Sequence, residues 1–143
     1  MDKYDALKLD NQLCFPLYAA SREVVRLYRP YLDEIGLTYT QYVTMMVLWE
    51  DKKISVKGLG ERLHLDSGTL TPLLKGLEKK GYVTRKRSEK DERFLDVELT
   101  PEGEALKEKA VEIPAKVGSC VKLEPSEAAE LYRLLYKIME QLK

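Results

Sequence analysis

The residues of this chain best suited to chemistry are Cys14 and the tyrosines that follow it. A cysteine thiolate can attack a peroxide oxygen and become a sulfenic acid, and it needs polar hydrogens or positive charge nearby to be populated near neutral pH. Cys14 lies in LDNQLCFPLYAASRE, with Tyr18 one helical turn later and Tyr28 further along a similar face. Tyr39 starts the next helix, where it could pack against that face or reach across a dimer. From the residues alone the better reading is a structural cysteine buried among aromatic side chains, and nothing local proves reactivity. Cys120 is the second of two cysteines, and the pair has neither zinc-ligand spacing nor the density of a disulfide-stapled scaffold. His64 is the only histidine, placed as a turn or surface residue, and no paired carboxylates or metal cluster accompany it. The chain is expected not to be an enzyme and to need no cofactor or metal.

A second group of residues is suited to a polyanion. The 24 basic and 24 acidic side chains cancel to a formal net charge of zero, but residues 75 to 93 hold eight basic groups against four acidic ones. Just before and within that segment, SGTLTPLLKGLEKK separates its faces. Leu70, Leu73, Leu74 and Leu77 lie on one side, whereas Gly68, Thr69, Pro72, Lys75, Gly76 and Lys79 lie away from it. Such a helix can enter a major groove, with Ser67, Thr69 and Thr71 reaching base edges or phosphates and Lys75 and Lys79 neutralising the backbone. These hydroxyl residues serve equally well as capping and turn residues. The following RKRSEKDER places Arg85, Lys86, Arg87, Lys90 and Arg93 on a hairpin, with Asp91 able to brace the Arg93 guanidinium at a minor groove. The plain alternative is an ordinary charged loop.

These residues require a scaffold, and the periodicity supplies one. Leu9, Leu13, Leu17, Ala20, Val24 and Leu27 predict a helix over residues 7 to 30. Within it Pro16 either loosens the turn beside the cysteine or marks where the helix begins. Thr38 and Gln41 have capping-box spacing, with Leu37 and Tyr42 as a hydrophobic staple, so a second helix should span about 39 to 50. Ser55 and Asp66 cap two short helices, 56 to 63 and 67 to 80, the second stopped by Gly81. YVTRKRS and FLDVELT then read as two strands of a hairpin. Thr100 and Pro101 begin a helix reaching about Cys120, with an irregularity near Pro114 or Gly118, and Pro125 begins the last helix. The stripe Leu131, Leu134, Leu135, Ile138 and Leu142 has too little single-chain core to cover it, which suggests a two-fold subunit interface.

The elements add up to a mainly α chain with a small β-hairpin wing, a winged helix-turn-helix. The densest apolar stretch, YVTMMVLW, is too short to cross a bilayer, and the sparse cysteines fit a reducing cytoplasm.

The helix order, DSGTLTPLLKGLEKKGYVTRKRS, the DER element and LTPEG together resemble the MarR family of dimeric winged-helix regulators over nearly the whole chain. The resemblance implies an intertwined homodimer made of a single MarR-like domain, 1–143. Segments 1–37 and 101–143 would form the helical dimerisation region and 38–100 the DNA-binding region. It also implies that Asp91 and Arg93 correspond to the family's aspartate and wing arginine. NQLCFPLYAASRE, Tyr28 and GLTYTQY are similar to the organic hydroperoxide sensing branch, often called OhrR. There the amino-terminal cysteine is the sensor and tyrosines bond its sulfur, roles that map onto Cys14, Tyr28 and Tyr39, with Tyr18 close by. Oxidation by an organic hydroperoxide would release the repressor from pseudopalindromic double-stranded operator DNA. Cys120 sits where some members carry a second cysteine that resolves the sulfenic acid as an intersubunit disulfide. The rival expectation is a MarR-like repressor released by a small aromatic or phenolic ligand.

Overall fold

The structure, a computed structural model, describes residues 2–142. The chain divides into two compact units, residues 1–113 and 114–143.

The first unit opens with two 3-10 turns, Lys3–Leu7 and Leu9–Asn11, followed by helix α1 (Cys14–Glu34). The helix expected over 7 to 30 thus starts and ends late. Gln12 is extended, at φ −100° and ψ 120°, so no helical turn passes through it. Pro16 falls at the third helical position, where its missing N–H would have had no partner inside the helix. Pro30 does not stop α1, because Leu32 is buried just beyond it and that burial, worth about 2 kcal/mol, offsets much of the lost bond. The stop comes at Gly36, whose φ of +69° lets its N–H bond Asp33 O and the Leu37 N–H bond Leu32 O.

Helix α2 (Tyr39–Asp51) carries the expected capping box in full: Gln41 N–H donates to Thr38 Oγ1 at 3.3 Å and Thr38 N–H to Gln41 Oε1 at 3.1 Å. Strand β1 (Lys53–Ser55) lies outside the expected elements, since three residues between helices show no period of their own. It pairs antiparallel with β3 (Leu95–Leu99), which also pairs with β2 (Val83–Arg87), giving the sheet order β1-β3-β2. Helices α3 (Val56–Leu63) and α4 (Ser67–Lys79) form the helix-turn-helix between β1 and β2, with the Ser55 and Asp66 caps in place. His64 turns the chain in the left-handed region and is exposed. Gly60 permits the packing, because a Cβ there would lie 2.8 Å from the Leu65 carbonyl oxygen and 3.0 Å from Leu70 Cδ1. The core of this unit is Leu32, Leu37, Tyr42, Met45, Leu48, Leu59, Leu70, Leu74, Leu77, Val83 and Val97, all buried.

Helix α5 (Pro101–Ala110) starts at the Thr100 cap, and the expected irregularity falls at Val111 and Glu112, before α6 (Ile113–Gly118). In the second unit α7 (Pro125–Gln141) begins with a capping box of its own, Glu124 with Glu127. Among the described residues no helix is long and apolar enough to cross a membrane.

Candidate functional site

The outer face of α4 is built as its sequence suggests, with one change. Leu70, Leu73, Leu74 and Leu77 are buried, and Ser67, Thr69, Thr71, Lys75 and Lys79 are exposed. Gly76 is instead half-buried, since α4 approaches α2 so closely there that a Cβ would stand 2.7 Å from Gln41 Nε2. Capping occupies part of the hydrogen-bonding capacity of these residues. The Asp66 carboxylate accepts the Thr69 N–H at 2.8 Å, which holds its pKa below the usual carboxylate value, and Thr71 Oγ1 donates to the Ser67 carbonyl at 2.9 Å. Ser67 and Thr69 are exposed at the amino end of the helix, where backbone N–H groups favour phosphate, and the Thr69 side chain also bonds Asp66.

The wing is stiffened residue by residue. Ser88 N–H donates to Phe94 O at 2.8 Å and Phe94 N–H to Asp91 O at 3.0 Å, closing the loop between β2 and β3. Asp91 receives the Arg93 backbone N–H at 3.1 Å, its Nε at 3.0 and 3.2 Å, and its terminal nitrogen at 2.8 Å. This fork lowers the Asp91 pKa and raises that of Arg93, while 84% of the Arg93 side chain stays exposed. Lys86 and Lys90 are also exposed, and Arg87 donates to the Glu92 carbonyl at 3.1 Å. Arg85 is the exception among the hairpin cations, being half-buried and paired with Glu78 of α4 at 3.1 Å. It ties the wing to α4.

The start of α5 fixes the root of the wing, a role the sequence did not disclose. Thr100 Oγ1 donates to the Gly81 carbonyl at 2.6 Å and accepts the Gly103 N–H at 3.0 Å. A Cβ on Gly103 would lie 2.3 Å from the Tyr82 carbonyl oxygen, so the glycine of LTPEG answers a close approach. Trp49 Nε1 donates to the Gly103 carbonyl at 2.9 Å from α2.

Cys14 is a free, exposed thiol at the first position of α1. Tyr18 lies one turn along, exposed, with the Arg22 guanidinium 5.5 Å from its ring centroid. Tyr28 and Tyr39 do come together, at 5.0 Å between ring centroids, and are joined by Tyr42 at 5.7 and 6.2 Å, which sequence assigned only to packing. Burial, with Tyr28 and Tyr39 alongside, pushes the Tyr42 pKa up to about 12, and burial then Tyr28 raise that of Tyr39. The structure does not bring this cluster to Cys14 of the same chain. Tyr28 lies fourteen positions beyond Cys14 on continuous α1, about 21 Å along the helix axis. Cys120, free and exposed in the second unit, follows α6, with its Sγ 3.6 Å from the Lys116 carbonyl oxygen. Among the described residues no group of three or more potential metal ligands converges.

A helix-turn-helix whose second helix offers a polar, partly basic face, followed by a hairpin with a braced arginine, defines the class of winged-helix transcriptional regulators. The family model for the transcriptional regulator SarA/Rot matches residues 26–110. The organic hydroperoxide resistance transcriptional regulator of Bacillus subtilis is 49% identical over 99% of this chain and 96% of its own length. Reduced AbfR bound to DNA, a solved structure, is similar with a TM-score of 0.80 at 35% identity, covering 99% of this chain and 98% of that one. AbfR in its disulfide form matches less well, with a TM-score of 0.60 at 34% identity over 98% and 93% of the two chains. The chain belongs to the MarR family of winged-helix regulators, in the branch of the organic hydroperoxide resistance regulators.

Proposed function

We propose that the chain is a homodimeric, peroxide-responsive repressor that binds a roughly two-fold symmetric DNA duplex and leaves it when Cys14 is oxidised by an organic hydroperoxide. The observation that carries this reading is the split between an exposed thiol and a tyrosine cluster about 21 Å away along one helix. Within one chain the hydroxyls do not reach the sulfur, so a site of Cys14 with Tyr28 and Tyr39 is complete only when Cys14 of the partner subunit enters the cluster. The apolar faces that would accompany such an exchange are present: Leu13, Phe15, Leu17, Val24 and Val25 are exposed in the first unit, and Leu131, Tyr132, Leu134 and Tyr136 in the second. Segments 1–37 and 101–143 serve in this reading as dimerisation arms and 38–100 as the DNA-reading lobe. Ser67, Thr69, Thr71, Lys75 and Lys79 address the major groove, and Lys86, Arg87, Lys90 and the Asp91-braced Arg93 address phosphates and the minor groove.

The chemistry is stoichiometric. The Cys14 thiolate attacks one peroxide oxygen, the O–O bond breaks, and an alkoxide leaves and takes up a proton, giving a sulfenic acid and an alcohol. The Cys120 thiol of the partner subunit then displaces the sulfenic oxygen as water and forms a disulfide. AbfR supports the second step by analogy. Its reduced and overoxidised forms are solved on DNA, and a disulfide form of it is solved as well.

The test is a DNA-binding titration and a non-reducing gel before and after one equivalent of cumene hydroperoxide. Wild type is expected to lose operator affinity and run as a covalent dimer, and C14S to do neither. Loss of affinity without a covalent dimer would assign sensing to Cys14 alone, and a C14S protein that still responds would return the aromatic-ligand repressor as the better reading.

A further inference from the structure

Between the tyrosine cluster and the reading helix lies a polar joint that neither DNA contact nor peroxide chemistry accounts for. The first turn of α2 carries Tyr39 and Tyr42 in the cluster and, between them, Gln41, which is only 8% exposed. Its Oε1 accepts two donors, the Thr38 N–H of its own cap at 3.1 Å and Lys80 Nζ at 3.1 Å. Lys80 is the C-cap of α4, and its ammonium also donates to the Gly36 carbonyl, in the turn that leads into α2. The other end of the Gln41 amide rests on Gly76, one turn before Lys80 on the same face of α4. The last turn of the reading helix is therefore seated on one side chain of the turn that holds two of the three tyrosines.

We propose that Gln41, Gly76 and Lys80 form the joint through which the tyrosine cluster sets the tilt of α4, making Gln41 and Lys80 positioning residues for DNA reading. The physical reason is leverage. α4 has 13 residues and is about 20 Å long, so a tilt of roughly 10° about its carboxyl end moves Ser67 and Thr69 by about 3 Å. That displacement exceeds the tolerance of a hydrogen bond to a base edge. The leucines beneath α4 supply adhesion without direction, whereas the two bonds that Lys80 Nζ donates, to Gln41 Oε1 and to the Gly36 carbonyl, and the close approach at Gly76 set its angle and distance. Only the cause of movement rests on the peroxide reading; the joint itself is testable in reduced protein.

The experiment uses full-length reduced protein, a duplex selected by the wild type from a random pool, and a mixed-sequence duplex as the non-specific probe. Lys80→Met, which keeps the stem and removes the donors, and Gln41→Met are each expected to weaken binding to the selected duplex about fivefold or more. Affinity for the mixed-sequence duplex and the salt slope should stay unchanged. Gly76→Ala should reproduce the loss while adding helix propensity, and Lys80→Arg should retain wild-type affinity within about twofold. Equal affinity of K80M, Q41M and wild type for the selected duplex overturns the proposal. So does a loss shared by both duplexes with a salt slope lower by about one, which would make Lys80 a phosphate contact. After cumene hydroperoxide, the ratio of reduced to oxidised affinity should be smaller in K80M and Q41M than in wild type. A wild type indifferent to oxidant would remove the peroxide reading, and the joint would then stand or fall on the reduced-protein titrations.

Discussion

Arg93 combines two states that surface arginines seldom combine: it reaches into solvent and it is fixed. Four hydrogen bonds to one aspartate take up its backbone N–H, Nε and one terminal nitrogen, while the other terminal nitrogen makes no bond to Asp91 and the side chain stays 84% exposed. Because its order precedes any DNA contact, less side-chain entropy is lost on binding. Arg93→Ala is expected to weaken specific binding by about 1–3 kcal/mol in a titration at fixed salt, with the melting temperature unchanged. Arg93→Lys should recover only part of this, since lysine has no fork for Asp91 to hold. Tyr42 carries a different kind of prediction. Its pKa stands at about 12 in the folded chain against 10.0 ordinarily. Below pH 10 both folded and unfolded chains keep the phenol proton and its contribution is intact. Between pH 10 and 12 only the unfolded chain gains by releasing it, so stability falls as pH rises through that window. Denaturant melts at pH 9 and pH 11 should show a smaller drop for Tyr42→Phe than for wild type.

At the scale of elements, the caps and glycines decide where helices meet. Gly103 lets the start of α5 lie on the Tyr82 carbonyl, and replacing it with alanine forces a contact of 2.3 Å against backbone, which cannot yield as a side chain tip can. Gly103→Ala is expected to destabilise by about 1–3 kcal/mol or more in denaturant melts and to weaken DNA binding by shifting the wing root. The sequence disclosed the elements whose signals are local: the Thr38 and Gln41 box, the Ser55, Asp66 and Thr100 caps, the Gly81 stop and the leucine face of α4. It misplaced the ends of α1, because Leu9 and Leu13 keep a helical spacing although Gln12 is extended, and because Pro30 reads as a stop while Leu32 beyond it is buried. It missed β1, whose pairing with β3 is a long-range hydrogen-bonding choice, and the tie of Arg85 to Glu78. The site was legible to the same degree. Arg93 and Asp91 stand two residues apart and could be paired by eye, whereas the place of Tyr42 in the aromatic cluster and the seat of Gly76 on Gln41 exist only after three helices pack.

The whole molecule leaves apolar surface that one chain does not cover. Leu13 is 79% exposed, and Tyr132 of α7 is 65% exposed beside Leu131 and Tyr136. Patches of this kind in a chain with balanced charge favour association. Sedimentation at micromolar concentration is expected to show a species twice the 16.5 kDa chain mass. Leu131→Glu should shift it toward monomer, and with it abolish specific binding to a two-fold duplex while sparing much of the weak non-specific binding of the single lobe. A monomer in wild type at that concentration would remove the shared site of Cys14 and the tyrosines as well.

One contact between α2 and α5 also turns the protein into its own instrument. Trp49 is the only tryptophan in the chain, and its indole N–H is bonded to Gly103, the residue on which the wing root rests. Indole emission shifts with the polarity and hydrogen bonding around the ring, so any rearrangement that loosens α5 from α2 changes the colour and yield of a single, unambiguous fluorophore. Unlabelled protein can therefore be followed in a stopped-flow cell as operator or oxidant is mixed in, with the nine tyrosines left dark by exciting at the red edge of the tryptophan band.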